Sequence, residues 1–258
     1  MSAVIALNAL HARAVLNHNL RDFFKARQVL EVETPVLSVQ HSSALVVLCL
    51  EQTLYLQPNA ARPMLDLLAA GSGSIYQLAK AFRADALDRR HGHEFTLLEW
   101  YLPNSQLDEV MEELTAVFAA IFAGDVLPEQ RSYARAFEQR LGFDVSGLSA
   151  VELRLAARRL GLNVALGDDR QAWLDLLFSH FIEPTLGIEA PLYLTELPIE
   201  AHAEGGPCAS VYMEGIKVGS VVHHSRAATY SIALGLDRLL MVMMETRRMS
   251  QVISWVGA

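Results

Sequence analysis

The 258-residue chain is 52% hydrophobic and carries a formal net charge of −8. That apolar fraction is enough for a sizeable core and excludes a disordered chain, while the acidic balance argues against the broad basic surface that binds nucleic acid through counterion release. Cys49 and Cys208 are far apart and lack C-x-x-C spacing, which argues against a disulfide framework or a thiolate zinc site and fits a reducing compartment, the cytoplasm.

In chain order, residues 3–28 read as one amphipathic helix: Ala9, Ala12, Leu16, Leu20, Phe23 and Phe24 recur at three- and four-residue spacings, with Arg13, Arg21 and Lys25 between them. Its start has no basic segment before an apolar stretch, so no signal peptide is read. No run in the chain approaches the roughly 18 apolar residues of a membrane span. The segment VLEVETP is extended, because Val29, Leu30 and Val32 favour strand and Pro35 holds Thr34 out of helical geometry. Residues 44–50 and 53–57 form a strand pair, 60–70 a helix stopped at Gly71-Ser72-Gly73, and 74–83 and 94–101 two strands. The polar loop between those strands is long, as functional loops in compact domains often are. Helices are predicted over 106–123, 149–160 and 171–183, with connectors at Asp144 to Gly147 and Gly161 to Arg170. From 191 the strand pattern returns in PLYLTEL, ASVYMEGIKVGSVV and TYSIALG, and LDRLLMVMMETRR after Gly235 is a final helix. One α+β domain spanning 1–258 is the expected organisation, with a helical insertion at about 105–185.

The residues that carry chemistry lie on either side of the long loop. Alternation puts Phe95, Leu97, Glu99 and Tyr101 on one strand face, and Arg83 with Asp85 on one face of the other strand. An arginine there suits bidentate recognition of phosphate or carboxylate, and a phenylalanine can stack on a purine. The competing reading is a strand pair with an incidental salt bridge, and for Glu99 and Tyr101 a buried polar pair without a ligand. His91 with His93 and His223 with His224 are a weak metal signal, since no third ligand has a fixed spacing; no metal ligand is assigned. The acidic stretch QLDEVMEEL reads as a solvated helix face.

These residues form a larger pattern. Phe82-Arg83-Ala84-Asp85, then a loop, then RHGHEFTLLEWY resembles motif 2 of the class II aminoacyl-tRNA synthetases in their lysyl form, over about 74–101. FFKARQVLEVETPVLS resembles motif 1 (about 10–38), IALGLDRLLM resembles motif 3 (about 229–248), and DLLFSHFIEPTLGIEAPLYLTELP resembles the lysyl stretch between them. The three motifs stand in order, and in architecture the chain is closest to truncated lysyl paralogues that begin at motif 1. The resemblance implies a class II catalytic core, an antiparallel sheet flanked by helices, with motif 1 at a homodimer interface. It implies that Arg83 and Arg238 act catalytically: Arg83 on the α-phosphate and substrate carboxylate, Arg238 on the γ-phosphate. By the same resemblance Asp85 would replace the usual glutamate, His91 would approach the outer phosphates, Phe95 would stack on adenine, and Glu99 and Tyr101 would line the substrate pocket.

Several positions depart from the pattern. Ala61 stands where the resemblance puts an amino-acid-binding glutamate, Lys217 and Ser210 where it puts magnesium-binding glutamates, and Ser220 and His224 where it puts an asparagine and a glutamate that hold substrate. A lysine repels Mg²⁺, so the ion is expected to arrive with ATP and not to be held by protein. Fewer than ten residues separate His224 from Ile232, where the lysyl type has several tens. The expected function is an ATP-dependent, acyl-adenylate-forming ligase for an amino acid or small carboxylate other than ordinary lysine, with a protein, carrier or small-molecule acceptor. A catalytically silent, dimeric binding or regulatory subunit is the alternative. tRNA charging is disfavoured by the missing anticodon-binding domain and the negative charge.

Overall fold

The computed structural model describes residues 3–39, 45–49, 52–84, 92–198 and 207–253. In chain order the elements are α1 (Ala3–Ala26), β1 (Leu30–Glu31), β2 (Leu37–Ser38), β3 (Val46–Cys49), β4 (Gln52–Leu56), α2 (Ala61–Ala69), β5 (Ile75–Phe82), β6 (Glu94–Pro103) and α3 (Leu107–Phe122). There follow β7 (Glu129–Ser132), α4 (Tyr133–Leu141), α5 (Ala150–Arg159), α6 (Arg170–Leu177), β8 (Leu192–Thr195), β9 (Pro207–Met213), β10 (Ile216–His224), β11 (Thr229–Gly235) and α7 (Leu236–Met243). By their contacts the residues fall into two units, Met1–Val126 with Val218–Ala258, and Leu127–Lys217. Among the described residues, no helix is long and apolar enough to cross a membrane.

The first unit is built on strands in the order β1-β5-β6-β11-β10. All pairs are antiparallel except β1 with β5. The register puts Tyr76 opposite Trp100, and Trp100 opposite Ile232. Helix α1 covers this face: Leu16, Leu20 and Phe24 are fully buried, and the Phe24 ring stacks on Tyr76 at 4.1 Å and meets Trp100 edge-on at 5.6 Å. Helix α1 also packs on α3 and α7. Gly219 lies opposite Leu234, and a β-carbon there would come within 2.5 Å of the Ala233 carbonyl oxygen, so close pairing of β10 with β11 requires glycine. A short 3₁₀ turn, Ser225–Ala227, joins these strands directly. A separate antiparallel sheet has the order β2-β4-β3.

The second unit pairs β9 with β8 antiparallel and β8 with β7 parallel. Its core gathers Phe137, Leu153, Trp173, Leu177, Leu192 and Leu194. Strand β7 and helix α4 occupy a stretch for which the sequence predicts no element. The helix expected over 171–183 is α-helical only to Leu177, then continues as a π turn over Phe178–Ile182 and a 3₁₀ turn over Glu183–Thr185. ASVYMEGIKVGSVV is two strands, divided where Glu214 and Gly215 both adopt positive φ, 52° and 66°. That pair of left-handed residues is the geometry of a two-residue hairpin turn.

Candidate active site

Residues 75, 77, 79 and 81 of β5 lie opposite 101, 99, 97 and 95 of β6, and 99 and 101 lie opposite Ala233 and Ser231 of β11. Side chains alternate along a strand, so Gln77, Phe95, Glu99, Tyr101 and Ser231 share the face opposite the one α1 covers. The predicted alternation of Phe95, Leu97, Glu99 and Tyr101 therefore holds. Six residues at about 3.3 Å each give this face a length of roughly 20 Å from Phe95 to Tyr101, enough for an elongated ligand with chemically distinct ends.

At one end the Arg83 guanidinium lies over the Phe95 ring, 4.3 Å from its centroid. Arg83 is not within a strand, because β5 ends at Phe82. One further rung continues the pairing instead: the Arg83 N–H donates to the His93 carbonyl at 2.9 Å, and His93 Nδ1 lies 3.1 Å from the Arg83 carbonyl. The expected sharing of a strand face by Arg83 and Asp85 lies outside the described residues, as do Asp85 and His91. Arg238, half-buried in the first turn of α7, folds its side chain beside Gly235, whose partner on β6 is Leu97. The Arg83–Phe95 pair and the base of Arg238 thus belong to the same end of the face.

At the other end, Glu99 is buried beneath the start of α2. Its Oε2 accepts the Ala60 N–H at 2.9 Å and its carboxylate also takes a hydrogen bond from the Gln77 side chain. Gln77 is oriented in turn by the Thr34 hydroxyl, which donates to its Oε1 at 2.9 Å. Burial dominates over these donors and pushes the Glu99 carboxyl up to about 7. The Tyr101 hydroxyl is driven well above its ordinary range, first by burial and then by the nearby Glu99 charge, against a hydrogen bond to Ser231. Ser231 Oγ shares a second hydrogen bond with His224 Nε2 at 2.8 Å, and the His224 and Tyr101 rings stack with centroids 5.7 Å apart. Burial, and then repulsion from His223, hold the His224 imidazole below its ordinary pKa, so it is neutral at pH 7. Glu99, Tyr101 and Ser231, with the half-buried His224 beside them, form a polar floor with one carboxyl group and no fixed cation among its named partners. Such a floor can hold a polar group by hydrogen bonds.

Gln77 and Ser231 are the floor residues that the sequence reading omits. Both sit at strand positions of the same parity as Glu99 and Tyr101 across the ladder, and a polar residue within SIYQLAK or TYSIALG was the available signal. Ala61 opens α2 and brings no acid to the site. In the second unit, Ser210 is buried in β9 and Lys217 opens the turnward end of β10. A hydroxyl and an ammonium do not make the hard, anionic oxygen pair that magnesium prefers. Among the described residues no group of three or more His, Cys, Asp or Glu could hold a metal ion.

A family model described as tRNA synthetases class II (D, K and N) matches residues 5–163. The elongation factor P–(R)-β-lysine ligase of Yersinia enterocolitica is 31% identical, over 94% of this chain and 93% of the relative. The ligase of the same name from Pseudoalteromonas translucida is 37% identical, over 80% of this chain and 67% of the relative. The Yersinia alignment runs over 304 positions, more than this chain has residues, so the relative carries segments that are missing here. The direct connection between β10 and β11 fits that difference. With the model matching more than half of the chain and the Yersinia relative covering 94% of it, the chain belongs to the class II tRNA synthetase family (D, K and N).

Proposed function

We propose that the protein is an ATP-dependent ligase that joins the carboxylate of an amino acid or related small acid to AMP and then passes the acyl group to an acceptor. The observation that carries this reading is the division of one strand face into a cationic and aromatic end (Arg83, Phe95, Arg238) and a polar end (Glu99, Tyr101, Ser231, His224). In it, Arg83 neutralises the α-phosphate as the substrate carboxylate attacks, Arg238 holds the γ-phosphate, and Phe95 stacks on the base. Asp85 and His91 complete the nucleotide contacts. The chemistry is in-line displacement of pyrophosphate, achieved by positioning and charge neutralisation with no protein nucleophile. Magnesium enters with the nucleotide, since Ser210 and Lys217 are unsuited to hold it.

The relatives' names point to a protein as acceptor, ahead of a carrier or a small molecule; tRNA is disfavoured. The substrate is an acid with a neutral or acidic side chain, because Ala61, Lys217 and His224 take positions where the lysyl type has acids. A homodimer built through α1 and β1, acting in the cytoplasm as one catalytic domain, completes the proposal. A second reading, a silent paralogue serving as a binding or regulatory subunit, is favoured by Lys217 and Ser210 alone. An ATP–pyrophosphate exchange screen over amino acids and small carboxylates separates the two. Exchange is expected with at least one acid other than L-lysine, and none with L-lysine at micromolar concentration. Absence of exchange with every acid establishes the silent reading.

A further inference from the structure

By its spacing Arg13 falls among the solvent-facing residues of α1, yet its guanidinium turns inward. It donates to Asp237 Oδ1 and, at 3.2 Å, to the Val252 carbonyl oxygen. Asp237 is only 2% exposed, and its Oδ2 accepts the Thr96 N–H at 2.6 Å. One buried carboxylate on α7 therefore joins α1 and β6, and through Arg13 the turn that follows α7 is tied to the same point. Its neighbours along the chain are the residues of interest. Asp237 immediately precedes Arg238, and Thr96 immediately follows Phe95.

We infer that Arg13 and Asp237 are positioning residues for nucleotide binding. They set the rotation of the first turn of α7 against β6, and with it the direction in which Arg238 leaves the helix relative to the Phe95 ring. Successive residues of an α-helix are separated by about 100°, so pinning one side chain on two sides fixes the bearing of the next. The Thr96 N–H alone does not pin it, because one hydrogen bond leaves the carboxylate free to swing about that contact. Arg13, whose Nη2 donates to Asp237 and to the Val252 carbonyl at once, supplies the second fixed point. Neither residue touches the nucleotide in this account. Removing Arg13 leaves a buried carboxylate without its counter-charge, which draws water or forces the turn to move.

The inference rests on the proposed role of Arg238, and the test keeps the two apart. Calorimetry with ATP is run on the unmodified protein and on R13K, R13Q, D237N, R238A and R13Q/R238A, each checked for native circular dichroism and melting. Pyrophosphate exchange supplies the KM for ATP and for the acid separately. R13Q is expected to weaken ATP about tenfold with the KM for the acid unchanged, R13K to recover part of the loss, and R13Q to have no further effect once Arg238 is gone. If R13Q and D237N lower the melting temperature but leave ATP affinity intact, or if R13Q weakens ATP equally with and without Arg238, the pair is structural only and the inference is overturned. Should R13Q not fold, R13K and D237N decide by the same criteria. If R238A binds ATP as the unmodified protein does, or neither binds it, the proposed nucleotide site itself fails and this inference with it.

Discussion

Glu99 sets burial against hydrogen bonding within one residue. Its two donors, the Ala60 N–H and the Gln77 side chain, favour the carboxylate, while burial favours the neutral acid and wins. Since its folded-state pKa of about 7 exceeds the ordinary 4.5, the folded protein binds this proton more tightly than the unfolded chain. The sign follows: the group's contribution to stability is full below the unfolded value and is lost as pH rises to the folded one. A shift of this size corresponds to on the order of 3 kcal/mol. Glu99→Gln keeps an acceptor for Ala60 and carries no charge to bury. Its melting temperature is expected to exceed that of the unmodified protein more at pH 8 than at pH 5. Thermal melts at both values check this, and an equal difference at the two contradicts it. Arg13 teaches the opposite lesson at the same scale. Its position on the helix wheel marks it as solvent-facing, and only the fold, which brings Asp237 beside it, reveals the ion pair.

Among elements, those legible in sequence were the ones with a sustained period. The α1 pattern of Leu16, Leu20, Phe23 and Phe24 and the β6 alternation from Phe95 to Tyr101 are long enough to survive tertiary context. Strand β7, four residues reading EQRS, has no apolar alternation and exists because β8 pairs with it. The predicted final helix ran to Arg248, but α7 ends at Met243 although its sequence continues Met, Glu, Thr. Glu245 takes φ of 50°, its N–H bonds the Val242 carbonyl, and the Thr246 N–H bonds the Met241 carbonyl. This is a Schellman stop with glutamate where glycine is usual, so no glycine marks it in the sequence. A left-handed conformation costs a residue with a β-carbon about 1–2 kcal/mol. Glu245→Gly is therefore expected to raise stability by about 0.5–1 kcal/mol in urea unfolding. A loss of stability there would show that the Glu245 side chain contributes more than its backbone costs. The Arg83–Phe95 contact was legible because both residues lie in one motif, whereas the polar floor was only half legible, being assembled from β5, β6, β10 and β11.

At the scale of the whole molecule, the exposed apolar side chains near the N-terminus are informative. Leu7, Leu10 and Val15 on α1, and Leu30, Val36, Leu37 and Val39 beyond it, are all solvent-facing in the single chain. Their concentration in one sequence region fits a two-fold interface, in which the same patch meets its own copy. The protein is expected to be a dimer by light scattering at micromolar concentration, and Leu10→Glu with Val39→Glu to make it monomeric; a monomeric unmodified protein contradicts the interface. The central claim, attack of a carboxylate on the α-phosphate, is tested most directly by isotope transfer. An acid identified by exchange is labelled with ¹⁸O in its carboxylate and turned over with ATP and a nucleophilic acceptor. The bond formed joins a carboxylate oxygen to the α-phosphorus as pyrophosphate leaves, and acyl transfer then breaks the carbon–oxygen bond. One ¹⁸O should therefore appear in AMP. Label in inorganic phosphate with ADP as product, or AMP without label, would contradict the account.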